Sequence, residues 1–106
     1  MPILVICHDS PNGAALRKQH EQSHLEYIKR VLPMICTSGP MRQSASAIEN
    51  KEYDSSFFIF DTNAVAIANK LLNNDPYAKA GVYEQVSFAE IETNAGYWLS
   101  GVPGKS

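Results

Sequence analysis

An α+β fold of order β-α-β-β-α-β is what this chain predicts, and three observations predict it. Two short runs, Ile3 to His8 and Ser55 to Asp61, are continuous and β-favouring, with apolar side chains on both sides of the strand. Two other stretches place apolar residues at three- and four-residue steps, as helices that cover a core do. Turn formers or prolines stand between these pieces. The resulting order is the split pattern of ferredoxin-like domains, a four-stranded antiparallel sheet with two helices on one face.

In the first strand Ile3, Val5 and Cys7 share one side and Leu4 and Ile6 the other. Ser10-Pro11-Asn12-Gly13 stops it, and a helix is predicted from about Ala14 to about Leu32. Leu16, His20, His24, Tyr27, Ile28 and Val31 fall on one side of that helix, so two histidines lie on or beside its apolar stripe. Pro33 ends it. Ile35 to Pro40 reads as the second strand, and its small residues Ser38-Gly39-Pro40 leave room for a cavity or a close backbone. Arg42 to Asp54 is polar without an apolar period, which predicts a mobile loop able to cover a site.

The third strand sets Phe57 and Ile59 against Phe58 and Phe60. Asp61 or Thr62 is placed to cap a second helix whose packing face is Val65, Ala68 and Leu72, flanked by Ala64, Ile67 and Leu71. Asn73-Asn74 halts it. Asp75-Pro76 predicts a turn with a restrained backbone, because the proline ring disfavours helical dihedrals for the residue before it. Gly81 then releases the chain into a fourth strand with Val86, Phe88 and Ile91. From Asn94 the chain reads as a tail that docks through Tyr97, Trp98 and Leu99.

At 106 residues, 44% hydrophobic and 19% charged, the chain predicts one globular domain, with a core over about 1–93 and the tail over 94–106. A net charge of −2 and a pI near 5.8 offer no footprint for nucleic acid. Met1 to Cys7 lacks the basic start of a signal peptide, and no apolar run approaches the ~20 residues that span a bilayer, so no membrane is expected and a cytoplasmic location is. Cys7 and Cys36 have no paired spacing and are expected to fill apolar space. Two helices cover one face of a four-stranded sheet, yet the first and third strands are apolar on both faces. Leu4 and Ile6, with Phe58 and Phe60 or their opposite numbers, would form a patch that a second copy of the chain would cover as a homodimer.

The run Asn74-Asp75-Pro76-Tyr77-Ala78-Lys79-Ala80-Gly81-Val82-Tyr83-Glu84-Gln85-Val86 resembles the signature of the YciI-like (YCII-related) family of small dimeric α+β barrel proteins. A strand ending near Asp9, the helix histidine, Ser38-Gly39-Pro40-Met41 and the aromatic third strand extend the likeness to about Asn94. The resemblance implies a homodimer, no organic cofactor, and a site built on a histidine and an aspartate, here His24 and Asp75. Some relatives resemble dehydrochlorinases or lactone isomerases of aromatic degradation, which implies a small cyclic or aromatic substrate. An imidazole titrates at about 6.5 when unperturbed, and a neighbouring carboxylate fixes its tautomer, so such a pair suits general acid/base chemistry. Ser38 is a further candidate, as a hydrogen-bond donor or nucleophile. Asp9 and Tyr83 are expected to line the same cavity.

Relatives commonly carry an arginine three residues before the histidine, where Glu21 stands in this chain, a departure that weakens any expectation of an anionic substrate. The same glutamate creates a second motif. His20-Glu21-Gln22-Ser23-His24 reads as the HExxH pattern of zinc hydrolases, in which two histidines one turn apart share a metal. That alternative needs a third ligand, for which His8, Glu26 and Asp75 are the candidates. A ligand-binding dimer without catalysis is the other alternative.

Overall fold

The computed structural model describes residues 1–96 of the chain. The apolar runs form β1 (Ile3–Asp9), β2 (Ile35–Met41), β3 (Ser55–Phe60) and β4 (Tyr83–Glu90), hydrogen-bonded in the order β2-β3-β1-β4 with every neighbouring pair antiparallel. The long amphipathic stretch is α1 (Gly13–Val31), followed by a single 3₁₀ turn at Leu32–Met34 that absorbs Pro33. A short helix α2 (Ala45–Asn50) lies between β2 and β3, and α3 (Val65–Asn73) and the one-turn α4 (Pro76–Ala80) lie between β3 and β4. The predicted α+β, ferredoxin-like architecture is the observed one.

Register decides which faces meet. Ile3 pairs with Phe60, Val5 with Phe58 and Cys7 with Ser56, so these side chains share the face under the helices. There they join Ala68 and Leu72 of α3 in the buried core, and Ile28 of α1 packs against its edge. Leu4 and Ile6 therefore lie beside Ile59 and Phe57 on the opposite face, not beside Phe58 and Phe60. All four are half-buried, on the face away from the core that the helices pack against. A slip of one residue would have reversed this grouping, and apolar strands on both faces do not mark the register in sequence.

Three other expectations change. The predicted loop Arg42 to Asp54 contains α2, capped by the Ser44 hydroxyl accepting from Ala47 N at 3.1 Å and closed by Lys51 in the left-handed conformation (φ 56°). Asp54 fastens its base, accepting from Gln43 N (2.8 Å), Ser44 N (3.0 Å) and the Ser55 hydroxyl (3.0 Å). Burial raises the Asp54 pKa, but these donors outweigh it and hold the carboxyl down at about 2. Next, α3 begins at Val65 without a side-chain cap. Thr62 instead accepts from Ala64 N at 3.1 Å, and Val65 and Ile67 stay exposed while Ala68 and Leu72 are buried. Finally, β2 shifts register between Ile35 and Thr37, which leaves Cys36 exposed at the irregularity; Cys7 is buried, and burial pushes its thiol up to about 12. The docking expected of Tyr97, Trp98 and Leu99 falls outside the described residues.

Candidate active site

Helix α1 rests mainly on α4 and on the turn that follows α1, not flat on the sheet. Only Gly13 and Tyr27 of its nineteen residues are buried. Tyr27 ties α1 to α3 by donating its hydroxyl to Leu71 O at 2.7 Å. Between the open side of α1 and the β2–β3 edge lies a cleft of about 220 Å³. Arg17, Glu21 and His24 project into it from α1, at i, i+4 and i+7 on one helical face. Ser38 and Pro40 of β2 and Phe58 of β3 form the floor, with Tyr53 and Leu25 at the rim.

At one end stands His24. Asp75 is the N-cap of α4, with Pro76 in the first turn where its missing N–H costs nothing. Its Oδ1 accepts from Tyr77 N at 3.0 Å and meets His24 Nδ1 at 2.7 Å, across 51 positions of sequence. The aspartate side chain is 1% exposed and the histidine 16%. The His24 ring stacks on Tyr77, 3.8 Å between centroids with planes 3° apart, so rotation of the imidazole is blocked on one face. A carboxylate oxygen at Nδ1 assigns the proton of the neutral ring to that nitrogen and leaves Nε2 with its lone pair for a ligand.

At the other end stands Arg17. Its Nε donates to Asp9 Oδ2 and its Nη2 to Asp9 Oδ1, both at 2.8 Å, a bidentate pair whose side chains are 12% and 7% exposed. Nη2 also reaches Ser56 Oγ (2.8 Å) and Ser55 O (3.1 Å). Burial works against the guanidinium charge, but the hydrogen-bonded Asp9 outweighs it and the pKa lies above its ordinary value. Among the described residues Nη1 is the guanidinium nitrogen without a hydrogen bond. Gly13 allows the clamp to close, because a Cβ there would lie 2.7 Å from both Cβ and Oδ2 of Asp9.

The candidates read from sequence thus separate. His24 and Ser38 line the cleft, with Asp75 buried behind His24, and no hydrogen bond joins Ser38 to His24 among the described residues. Asp9 and Tyr83 do not line it. Asp9 lies behind Arg17 and holds it, and the Tyr83 hydroxyl is buried, its ring standing edge-on to that of Tyr77 with 6.5 Å between centroids. Burial pushes the Tyr83 phenol well above its ordinary pKa, which suits it to packing rather than proton exchange. The HExxH donors do not fit a catalytic zinc. Among the described residues no three His, Cys, Asp or Glu side chains converge to hold an ion, so the third ligand that the pattern requires does not stand beside His20 and His24.

Arg17, Tyr77 and Tyr53 are the site residues that sequence reasoning missed. Arg17 was marked by its spacing, two helical turns before His24, and Tyr77 by its place directly after the Asp75-Pro76 pair. Tyr53 carries no signal in sequence, since it stands in a polar stretch without an apolar period.

A search of curated proteins by sequence gave no match. Among solved structures, the chain is similar to 5-chloro-2-hydroxyhydroquinone dehydrochlorinase (TftG) from Burkholderia phenoliruptrix, determined in complex with 2,5-dihydroxybenzoquinone. The TM-score is 0.75 at 22% identity, covering 92% of this chain and 98% of that one. A dimeric ferredoxin-like protein of unknown function from a Jannaschia species gives a TM-score of 0.45 at 14% identity, over 87% of this chain and 97% of that one. At 22% identity the likeness to the dehydrochlorinase is one of fold alone. The family profile of the YCII-related domain matches residues 1–92, nearly the whole described structure, and the chain therefore belongs to the YCII-related domain family.

Proposed function

We propose that the protein is a proton-transfer enzyme acting on a small cyclic or aromatic compound, with His24 as general acid/base and Asp75 as the group that orients it. The observation that carries this reading is the 2.7 Å contact of His24 Nδ1, on the wall of an open cleft, with Asp75 buried behind it. In the proposed step Nε2 removes a proton from a hydroxyl or a saturated carbon of the bound ring, in the tautomer whose leaving-group carbon is saturated. The electron pair it leaves forms a new double bond while a leaving group such as chloride departs with its own pair. Returning the proton at another carbon instead gives isomerisation. Arg17 Nη1 supports oxygen-centred negative charge during either course, and its clamp by Asp9 means that it need not reorganise as charge develops. The fold relationship to a dehydrochlorinase supports elimination as the first chemistry to test.

The test is turnover of a panel of chlorinated hydroxyphenols, cyclic acids and lactones by wild type and His24→Ala. Positioned acid/base groups are worth about 10²–10⁴ in rate. The proposal expects a loss in that range with ligand affinity retained; a binding-only dimer would show no turnover by either protein. The sheet face away from the helices supports assembly as a homodimer, since Leu4, Ile6, Phe57 and Ile59 form an apolar surface that a second copy would bury. Phe57→Glu is expected to give a monomer by analytical ultracentrifugation, and a wild-type monomer at micromolar concentration would refute that assembly.

A further inference from the structure

Glu21 is left unused by the chemistry above. It lies at the rim of the cleft, one helical turn beyond Arg17 and just short of one turn before His24. On an isolated helix Arg17 and Glu21, four apart, would form an ion pair. Here Asp9 has already taken Arg17 by two 2.8 Å hydrogen bonds, and Glu21 has no ion-pair partner among the described residues. The cleft therefore presents separated poles on one helix face, a guanidinium nitrogen without a partner and a carboxylate without one. A lone negative charge beside the guanidinium disfavours a second anionic group on a ligand, whereas it accepts readily from a hydroxyl.

We propose that Glu21 determines which ligands the site accepts, by receiving a hydroxyl of a one-ring compound whose other oxygen, a carboxylate or an ionised phenol, meets Arg17 Nη1. The assignment rests on the proposed use of the cleft as the ligand site, and it narrows the substrate class to rings carrying at least two oxygen functions, one of them still protonated. Size agrees. A cavity of roughly 150 Å³ holds a benzene ring, so the cleft of about 220 Å³ has room for one ring with substituents. Reach agrees as well, because residues four apart on a helix have Cβ atoms about 5–6 Å apart, and a substituted six-membered ring spans that separation. The Tyr77 phenol registers the same proximity. Burial raises its pKa most, and Glu21 adds to the rise against the lowering by Arg17.

Three probes separate the possibilities by calorimetric titration: 4-hydroxybenzoate, its methyl ether 4-methoxybenzoate, and terephthalate, which replaces the hydroxyl by a second anion. Wild type is expected to bind 4-hydroxybenzoate at least about tenfold more tightly than either of the others, the scale of one hydrogen bond to a charged group. Glu21→Arg should reverse the order in favour of terephthalate, and Glu21→Gln should remove its rejection. His24→Ala should keep the wild-type order, so that failure of the proton-transfer reading and failure of this one are told apart. Equal binding of the three probes by wild type, no binding of any at millimolar concentration, or an unchanged order in Glu21→Arg would overturn the assignment.

Discussion

The two ends of the cleft use the same pair of components, a buried carboxylate and a nitrogen base carried by α1, and put them to opposite ends. At Arg17 the carboxylate is shared by two guanidinium nitrogens, and the serines of β3 take up further donors, so the group is fixed with its charge permanent. At His24 a single hydrogen bond and a stacked ring fix orientation, while Nε2 has no hydrogen bond among the described residues. The difference teaches that burial of a carboxylate does not by itself mark a reactive site. The proposed proton transfer also requires a partner nitrogen left without a hydrogen bond, which the His24 end has and the bidentate face of Arg17 does not.

Breaking the Arg17 end should cost stability first. Asp9→Ala leaves a guanidinium that is 12% exposed without its counter-charge, and uncompensated buried charges cost about 3–5 kcal/mol. Urea denaturation measures this as a lower midpoint at unchanged slope. The His24 end should respond the other way. In Asp75→Asn the amide oxygen still caps Tyr77 N and still meets Nδ1, so stability is expected to fall by only about 1 kcal/mol, as for a weakened cap. If His24 transfers a proton as proposed, turnover should fall by about 10²–10³, because a neutral amide would no longer stabilise the imidazolium of that step. If Asp75→Asn unfolds the protein as readily as Asp9→Ala does, the contrast between the ends is wrong.

A finer probe of the Arg17 end leaves every charge in place. Gly13→Ala puts a Cβ within 2.7 Å of Asp9, and side-chain carbons and oxygens do not approach so closely. The aspartate must move, loosening its bidentate grip. The expected cost is about 1–3 kcal/mol, typical of overpacking, together with weaker binding of anionic ligands relative to neutral ones. Full retention of both properties would show that the clamp is not set by the β1–α1 turn.

Much of this was legible from residues. The strands announced themselves because Leu4, Ile6, Phe57 and Ile59 are apolar in segments too short for helices, and α1 because Leu16, Tyr27, Ile28 and Val31 keep helical period. The pairing register was not legible, since alternation carries no information when both faces are apolar. Neither was α2. Its stability comes from the Ser44 cap and the three donors on Asp54, and only Ala47 is buried, so no apolar period exists to detect. At the site, the fold family supplied the meeting of His24 with Asp75. The clamp on Arg17 remained hidden because it requires β1 and α1 to fold back across a glycine, a matter of turn geometry rather than composition.

Asp54 supplies the smallest effect and a third version of the comparison, a carboxylate held by neutral donors alone. Its folded pKa of about 2 lies below the 3.8 of the free group, so its contribution is fully present above about pH 4 and disappears as the pH falls through 2. Solvent screening at this half-exposed position limits the contribution to about 1 kcal/mol. Chemical denaturation of wild type and Asp54→Asn should therefore differ by about that amount at pH 6 and converge near pH 2. Since Asp54 anchors the segment that carries Tyr53, a rim residue of the cleft, the variant should also weaken ligand binding modestly while sparing the His24 contact. A constant difference between the two proteins across that range would mean that Asp54 acts through its shape and not its charge.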